Sequence, residues 1–202
     1  MDSGSVTERL AHSKRALRKA VLAARAEMSP AHRADASAGV VQRLLELPEV
    51  RSAAAVAAFV GVGTELDTTR LLDDLHGRGT RVLLPVLLAD DSLGWRPYAG
   101  RDLLVTGRRG LREPSTSGGD PAPQLREVDV VVVPGVCYDF AGRRLGRGGG
   151  SYDRALAGLP GRVLRVGVAL DGEIIVEVPA APHDEPVDVV VTPTRTIRCD
   201  GG

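Results

Sequence analysis

Apolar positions between residues 7 and 27 recur at helical spacing. Leu10, Leu17, Val21 and Leu22 fall near one face, and Lys14, Arg18 and Arg25 repeat at helical intervals. Met28-Ser29-Pro30 predicts a stop and a restart, with Ser29 as cap and Pro30 opening a second helix that runs to about Leu47, where Pro48 closes it. The period then changes. Residues 53–60 form a short apolar run without helical charge spacing, the pattern of a buried strand. A loop at 61–64 leads to a helix over 67–76 that turns Leu71, Leu72 and Leu75 inward and ends at Gly77 and Gly79. Strands are predicted at 81–88 and 93–98, the latter with Trp95 and Arg96 on opposite faces. Residues 107–124, rich in Gly, Pro, Ser and Thr, read as a long surface loop. The β-branched run at 128–133 is the clearest strand and has the character of a central parallel one. A long loop over 134–150, a short helix over 152–157 and strands at 163–169, 174–178 and 187–191 complete the pattern.

Strands alternating with helices predict an α/β fold, a single layered α/β/α domain around a mostly parallel sheet. The length, 202 residues, suits one core, with 1–13 and 196–202 expected as loose ends. Twenty-six basic residues balance 26 acidic ones, which argues against a nucleic-acid or membrane-surface binder. Cys137 and Cys199 lack metal-ligand spacing, four scattered histidines make no zinc site, and the charged N-terminus holds no apolar run for a signal peptide or membrane span. These features predict a cytoplasmic protein, working as a monomer on small molecules.

The most unusual text follows the central strand, where open α/β sheets bind ligands. It runs from Pro134 through Asp139, Gly142, Arg144, Gly146, Gly148 and Gly150 to Tyr152-Asp153-Arg154. Glycines let several backbone N–H groups turn toward one anion, and the following helix offers its positive end to the same point. Arg143, Arg144, Arg147 and Arg154 concentrate positive charge in a neutral chain, and Asp139 with Asp153 suits a magnesium ion on phosphate oxygens. No Gly-Lys-Ser/Thr is present, and Ser151 stands where a dinucleotide fingerprint needs its last glycine.

The motif Asp139-x-x-Gly142-x-Arg144-Leu-Gly-x-Gly148-x-Gly150-x-Tyr152-Asp153-Arg154 resembles the signature of the 5-formyltetrahydrofolate cyclo-ligases, also called methenyltetrahydrofolate synthetases. Lys14-x-x-Leu17-Arg18, Glu65-Leu-Asp67-Thr68 and Pro182-His183-Asp184 before the strand at 187–191 are similar to further family segments, in the right order. The resemblance implies a fold like that of the sugar-phosphate isomerase and CoA-transferase group. It implies an ATP- and magnesium-dependent closure of 5-formyltetrahydrofolate to 5,10-methenyltetrahydrofolate. By the same resemblance Lys14, Arg18, Arg144, Leu145, Gly146, Arg147, Gly148, Gly149, Gly150, Ser151 and Tyr152 would hold ATP, with Arg144 catalytic. Glu65, Arg147, Gly148, Gly149, Gly150 and Ser151 would contact the folate, and Asp153 and Asp184 would hold Mg2+.

Two positions depart from the family pattern: tyrosine is frequent where Arg147 and Ser151 stand. The second change removes a ring that could pack on ligand, and Trp95 and Tyr98 are candidates to supply stacking instead. Two other readings stay open at this point. One is an ATP-independent isomerase or transferase relative; the other is a nucleotide- or folate-binding module without turnover.

Overall fold

A computed structural model describes residues 3–115 and 124–200, with side chains from residue 7 onward. In chain order the elements are helices α1 (Ser3–Glu27), α2 (Pro30–Glu46) and α3 (Pro48–Ser52), strand β1 (Ala55–Ala57), helix α4 (Thr69–Gly77), then strands β2 (Arg81–Leu87), β3 (Leu93–Pro97), β4 (Leu104–Thr106), β5 (Arg112–Pro114), β6 (Val130–Pro134), β7 (Cys137–Tyr138) and β8 (Arg144–Leu145). Helix α5 (Ser151–Leu156) and strands β9 (Leu164–Val168), β10 (Val189–Val191) and β11 (Thr196–Arg198) follow. The sheet order is β11-β10-β9-β6-β1-β2-β3. The five inner strands are parallel, and β3 and β11 close the two edges antiparallel.

The sheet is buried on both faces, which is why β6 carries no polar residue. Val130 and Val132 pack with Val40, Leu44, Leu71 and Leu75 of α2 and α4, while Val131 and Val133 pack with Leu156 of α5 on the opposite side. A third cluster sits outside these layers. There Leu17, Val21 and Leu22 of α1 cover Val136, Cys137, Leu145 and Val178. Ser29 caps α2 as its sequence suggests, its hydroxyl accepting the His32 N–H at 3.2 Å with Pro30 in the first turn.

Chain order and sheet order together locate the ligand side. The path from β1 steps to β2 in one direction, whereas β6 lies on the other flank of β1. The carboxyl ends of β1 and β6 therefore diverge into a crevice, the place where this class of sheet binds ligands. Buried Tyr138 braces the end of β6 beside it. The hydroxyl donates to the Val133 carbonyl at 2.8 Å, and the ring occupies the space that side chains at Gly135 and Gly167 would need.

Several expectations change. The run 174–178 is not a strand: Ile174 makes one bridge to Tyr138 of the two-residue strand β7, too short to pair the whole run, and Val176 is 93% exposed. The second helix gives way at Pro48 to a separate short helix, and β1 is only three residues long. The 134–150 loop holds the β7–β8 hairpin, and the 107–124 loop contains β5, with 116–123 outside the described residues. Helix α1 begins at Ser3, within the segment expected as a loose end, and β11 occupies the start of the other.

Candidate active site

A cleft of about 1080 Å³ opens at the β1–β6 crevice. Its walls carry the residues that the family resemblance assigns to ligand or metal: Lys14 and Arg18 of α1, Glu65 of the loop after β1, the segment from Arg144 to Asp153, and Asp184. Asp139 is not among them. Its carboxylate is 1% exposed and is consumed by the N–H groups of Ala141, Arg143 and Val178 and by the Arg143 guanidinium. It shapes the hairpin turn, so the pairing of Asp139 with Asp153 as metal ligands is overturned.

The glycine segment is bent into an open arc by positive φ at Gly148 (103°) and Gly150 (65°), angles that residues with a Cβ adopt only with strain. Among the described residues, no backbone N–H from Gly146 to Gly150 donates a hydrogen bond to the protein. Such a row of unpartnered donors facing a cleft is what an anion requires. Helix α1 lies over the arc: Arg18 Nε donates to the Gly146 carbonyl at 2.9 Å, and Lys14 pairs with Asp184. Ser151 Oγ donates to the Asp91 carbonyl at 2.8 Å, and Arg154 reaches the same oxygen at 2.8 Å. Asp91 went unnoticed in the sequence. Its signal was the Asp90-Asp91-Ser92 turn between two strands, where Asp91 takes a positive φ of 61°.

Arg144 is the most enclosed cation of the cleft, its side chain 3% exposed. Nη2 donates to Asp153 Oδ1 at 2.6 Å, the guanidinium stands 5.9 Å from the centre of the Tyr152 ring, and Nε has no partner among the described residues. Trp95 buttresses Tyr152 edge-on at 6.4 Å. Trp95 thus supports the site from behind. Tyr98 packs against His76 on another face and donates to Asp73 at 2.5 Å, and neither Trp95 nor Tyr98 lines the cleft, so these rings do not stack on ligand as the sequence suggests. Burial raises the Tyr152 phenol well above its ordinary range, and its hydroxyl finds no partner among the described residues.

The two carboxylates proposed for metal suit an ion that arrives with its own oxygens. Asp153 Oδ1 accepts from Arg144 and, at 3.4 Å, from the Glu185 N–H, leaving Oδ2 without a hydrogen bond among the described residues. Asp184 Oδ2 accepts from Lys14 and, at 2.5 Å, from the Ala181 N–H, leaving Oδ1 with only His183 Nε2 at 4.0 Å. Burial alone would raise the Asp184 carboxyl; the Ala181 N–H and Lys14 outweigh it and hold the group below its usual value. Among the described residues no three His, Cys, Asp or Glu side chains gather as a metal site. Two carboxylates completed by phosphate and water are a magnesium-type donor set.

Glu65 is fixed from both sides. Its Oε2 accepts the Val62 N–H at 3.1 Å, and its Oε1 accepts from Arg147 Nε at 2.8 Å. Pro85, Leu87 and Leu93 line an apolar wall of the same cleft. No helix among the described residues is long and apolar enough to cross a membrane.

Residues 10–193 match the 5-formyltetrahydrofolate cyclo-ligase family. A 5-formyltetrahydrofolate cyclo-ligase of Mycolicibacterium smegmatis is 42% identical over 147 residues, covering 70% of this chain and 75% of the relative. One from Escherichia coli is 34% identical over 174 residues, 85% of this chain and 95% of the relative. The NMR structure of the Aquifex aeolicus 5,10-methenyltetrahydrofolate synthetase superimposes with a TM-score of 0.81 at 33% identity over 94% of each chain. The Mycoplasma pneumoniae synthetase, 20% identical over 89% of this chain and 98% of its own, shares the fold with a TM-score of 0.71. The chain that builds this cleft belongs to the 5-formyltetrahydrofolate cyclo-ligase family and is an enzyme of it.

Proposed function

We propose that the cleft closes 5-formyltetrahydrofolate to 5,10-methenyltetrahydrofolate while converting one ATP to ADP and phosphate. The observation that carries the reading is the arc of unpartnered N–H groups at 146–150, flanked by Lys14, Arg18 and Arg144 and by the two half-free carboxylates of Asp153 and Asp184. That combination suits a polyphosphate with its metal, and a formamide needs such a partner. Its oxygen is a poor leaving group until it carries a phosphoryl group. The formyl oxygen attacks the γ-phosphorus, and ADP departs. N10 then attacks the activated carbon, loses its proton, and phosphate leaves with the formyl oxygen.

In this reading Lys14, Arg18 and the 146–150 arc orient the triphosphate in line with the formyl oxygen. Arg144, dry and with an unused Nε–H, bears on the charge that develops on the transferring group. Magnesium, held by Asp153 and Asp184, would neutralise phosphate charge. Glu65 faces the pterin, whose amino and ring N–H groups form a bidentate pair with a carboxylate. Pro85, Leu87 and Leu93 take the apolar part of the folate. All these groups lie on one cleft of one chain, so a monomer suffices. The test mixes protein, 5-formyltetrahydrofolate, ATP and magnesium and follows methenyltetrahydrofolate absorbance. Product that needs both ATP and magnesium supports the reading; no product at high protein concentration refutes it.

A further inference from the structure

The cleft satisfies its own charges in pairs: Lys14 with Asp184, Arg144 with Asp153, and Arg147 with Glu65. Each pair joins a group suited to phosphate with a group suited to something else. The third is the informative one: Glu65 is expected at the folate alone, whereas the resemblance gives Arg147 to ATP as well as to the folate. Glu65 is 14% exposed and has both oxygens engaged, one by its own loop through Val62 N–H and the other by Arg147. A pterin that presents two N–H groups needs both oxygens in one plane, and Arg147 occupies one of them. Arg147, by contrast, is 55% exposed, and among the described residues its guanidinium makes no hydrogen bond except that to Glu65. It rides on the arc of free N–H groups, beside where phosphates would lie.

We infer that Arg147 masks Glu65 until nucleotide arrives, so that ATP binding creates the folate site. Triphosphate, with several charged oxygens, offers the half-exposed Arg147 a stronger partner than a single carboxylate. When Arg147 turns to it, Glu65 is released for the pterin. The two substrates then bind with positive coupling, and by linkage each tightens the other equally. This inference rests on the proposed pairing of Glu65 with the pterin.

The size of the coupling follows from the pair that is exchanged. A half-exposed ion pair contributes at most a factor of about five. Titration calorimetry of 5-formyltetrahydrofolate, with and without magnesium and a non-hydrolysable ATP analogue, reads it without turnover. In the unaltered protein the analogue should tighten folate binding about two- to fivefold. Arg147→Met should bind folate about two- to fivefold more tightly than the unaltered protein when nucleotide is absent, and the analogue should then add nothing. A residue that merely contacted folate or supported the loop would give the opposite sign, weaker binding. Unchanged or weaker nucleotide-free binding in Arg147→Met, or coupling that survives the substitution, overturns the inference. Glu65→Gln separates the two levels. If it weakens folate binding about tenfold or more while Arg147→Met fails its test, the masking role alone falls. If Glu65→Gln leaves folate binding intact, the pterin assignment falls, and the masking role with it.

Discussion

Arg25 offers the strongest single test of how the site is held together. Its side chain is 4% exposed, and Nε donates at 2.6 Å to Glu173, which is 6% exposed. Nη2 reaches the Gly135 and Val136 carbonyls at 3.2 and 3.3 Å, just past the end of β6. Glu173 spends its other oxygen on the Leu170 N–H at 2.8 Å. Arg25→Met therefore deletes three bonds and strands a buried carboxylate that keeps one. Breaking a buried pair from one side costs about 3–5 kcal/mol, a large part of the roughly 5–15 kcal/mol that holds a domain. With a urea slope near 2 kcal/mol/M, the midpoint should fall by about 2 M. Arg25→Met with Glu173→Gln removes the stranded charge and should recover at least half of the loss. Activity should not follow stability, because Arg25 pins the end of the helix that carries Lys14 and Arg18. The double variant should regain stability yet keep a raised KM for ATP. A single-variant loss below about 1 kcal/mol, or a double variant no more stable than the single, would refute the reasoning.

Arg144→Met should weaken nucleotide binding by about 10- to 150-fold, the worth of a charge-assisted bond of about 1.5–3 kcal/mol; calorimetry showing an unchanged Kd would remove Arg144 from the phosphate site. Asp184→Asn should raise the magnesium concentration needed for half-maximal nucleotide binding while leaving the fold intact by circular dichroism; an unshifted magnesium titration would count against a metal role. Gly167→Ala should destabilise by about 1–3 kcal/mol or more, since its methyl meets the Tyr138 ring, and a denaturation midpoint equal to that of the parent would show the ring is free to move. Burial, with the Glu173 charge adding to it, pushes the Cys137 thiol up to about 12. It therefore stays protonated at pH 8, and iodoacetamide should label it only on unfolding; above pH 9 the unfolded thiol ionises first, so the thiol's contribution to stability is lost as pH rises toward 12.

Much of this was legible where physics acts locally. The unbroken valine run of β6 announced a strand buried on both faces, and the 3.6-residue recurrence through α1 placed Lys14 and Arg18 one turn apart. The glycine and arginine text marked its own purpose, because few pressures other than an anion concentrate both after a buried strand. What failed depended on distant partners. Asp139 looked like a metal ligand because the Val178 N–H that claims it lies 39 residues on. The run at 174–178 has strand propensity but meets only the two-residue strand β7, to which it makes a single bridge. The contacts that make the site a site, Lys14 with Asp184 across 170 residues and Arg147 with Glu65 across 82, exist only after folding. Arg25 gave a faint signal: a cation seven residues after Arg18, beside the apolar face of α1, where an exposed charge has no reason to be.

The central claim is that the cleft transfers a phosphoryl group to the formyl oxygen, and that oxygen's fate decides it. 5-Formyltetrahydrofolate labelled with oxygen-18 in the formyl group is converted with ATP and magnesium, and the released phosphate is weighed by mass spectrometry. The account predicts one labelled oxygen in each phosphate formed, matched to one methenyltetrahydrofolate. Unlabelled phosphate, with the label released as water, would contradict it.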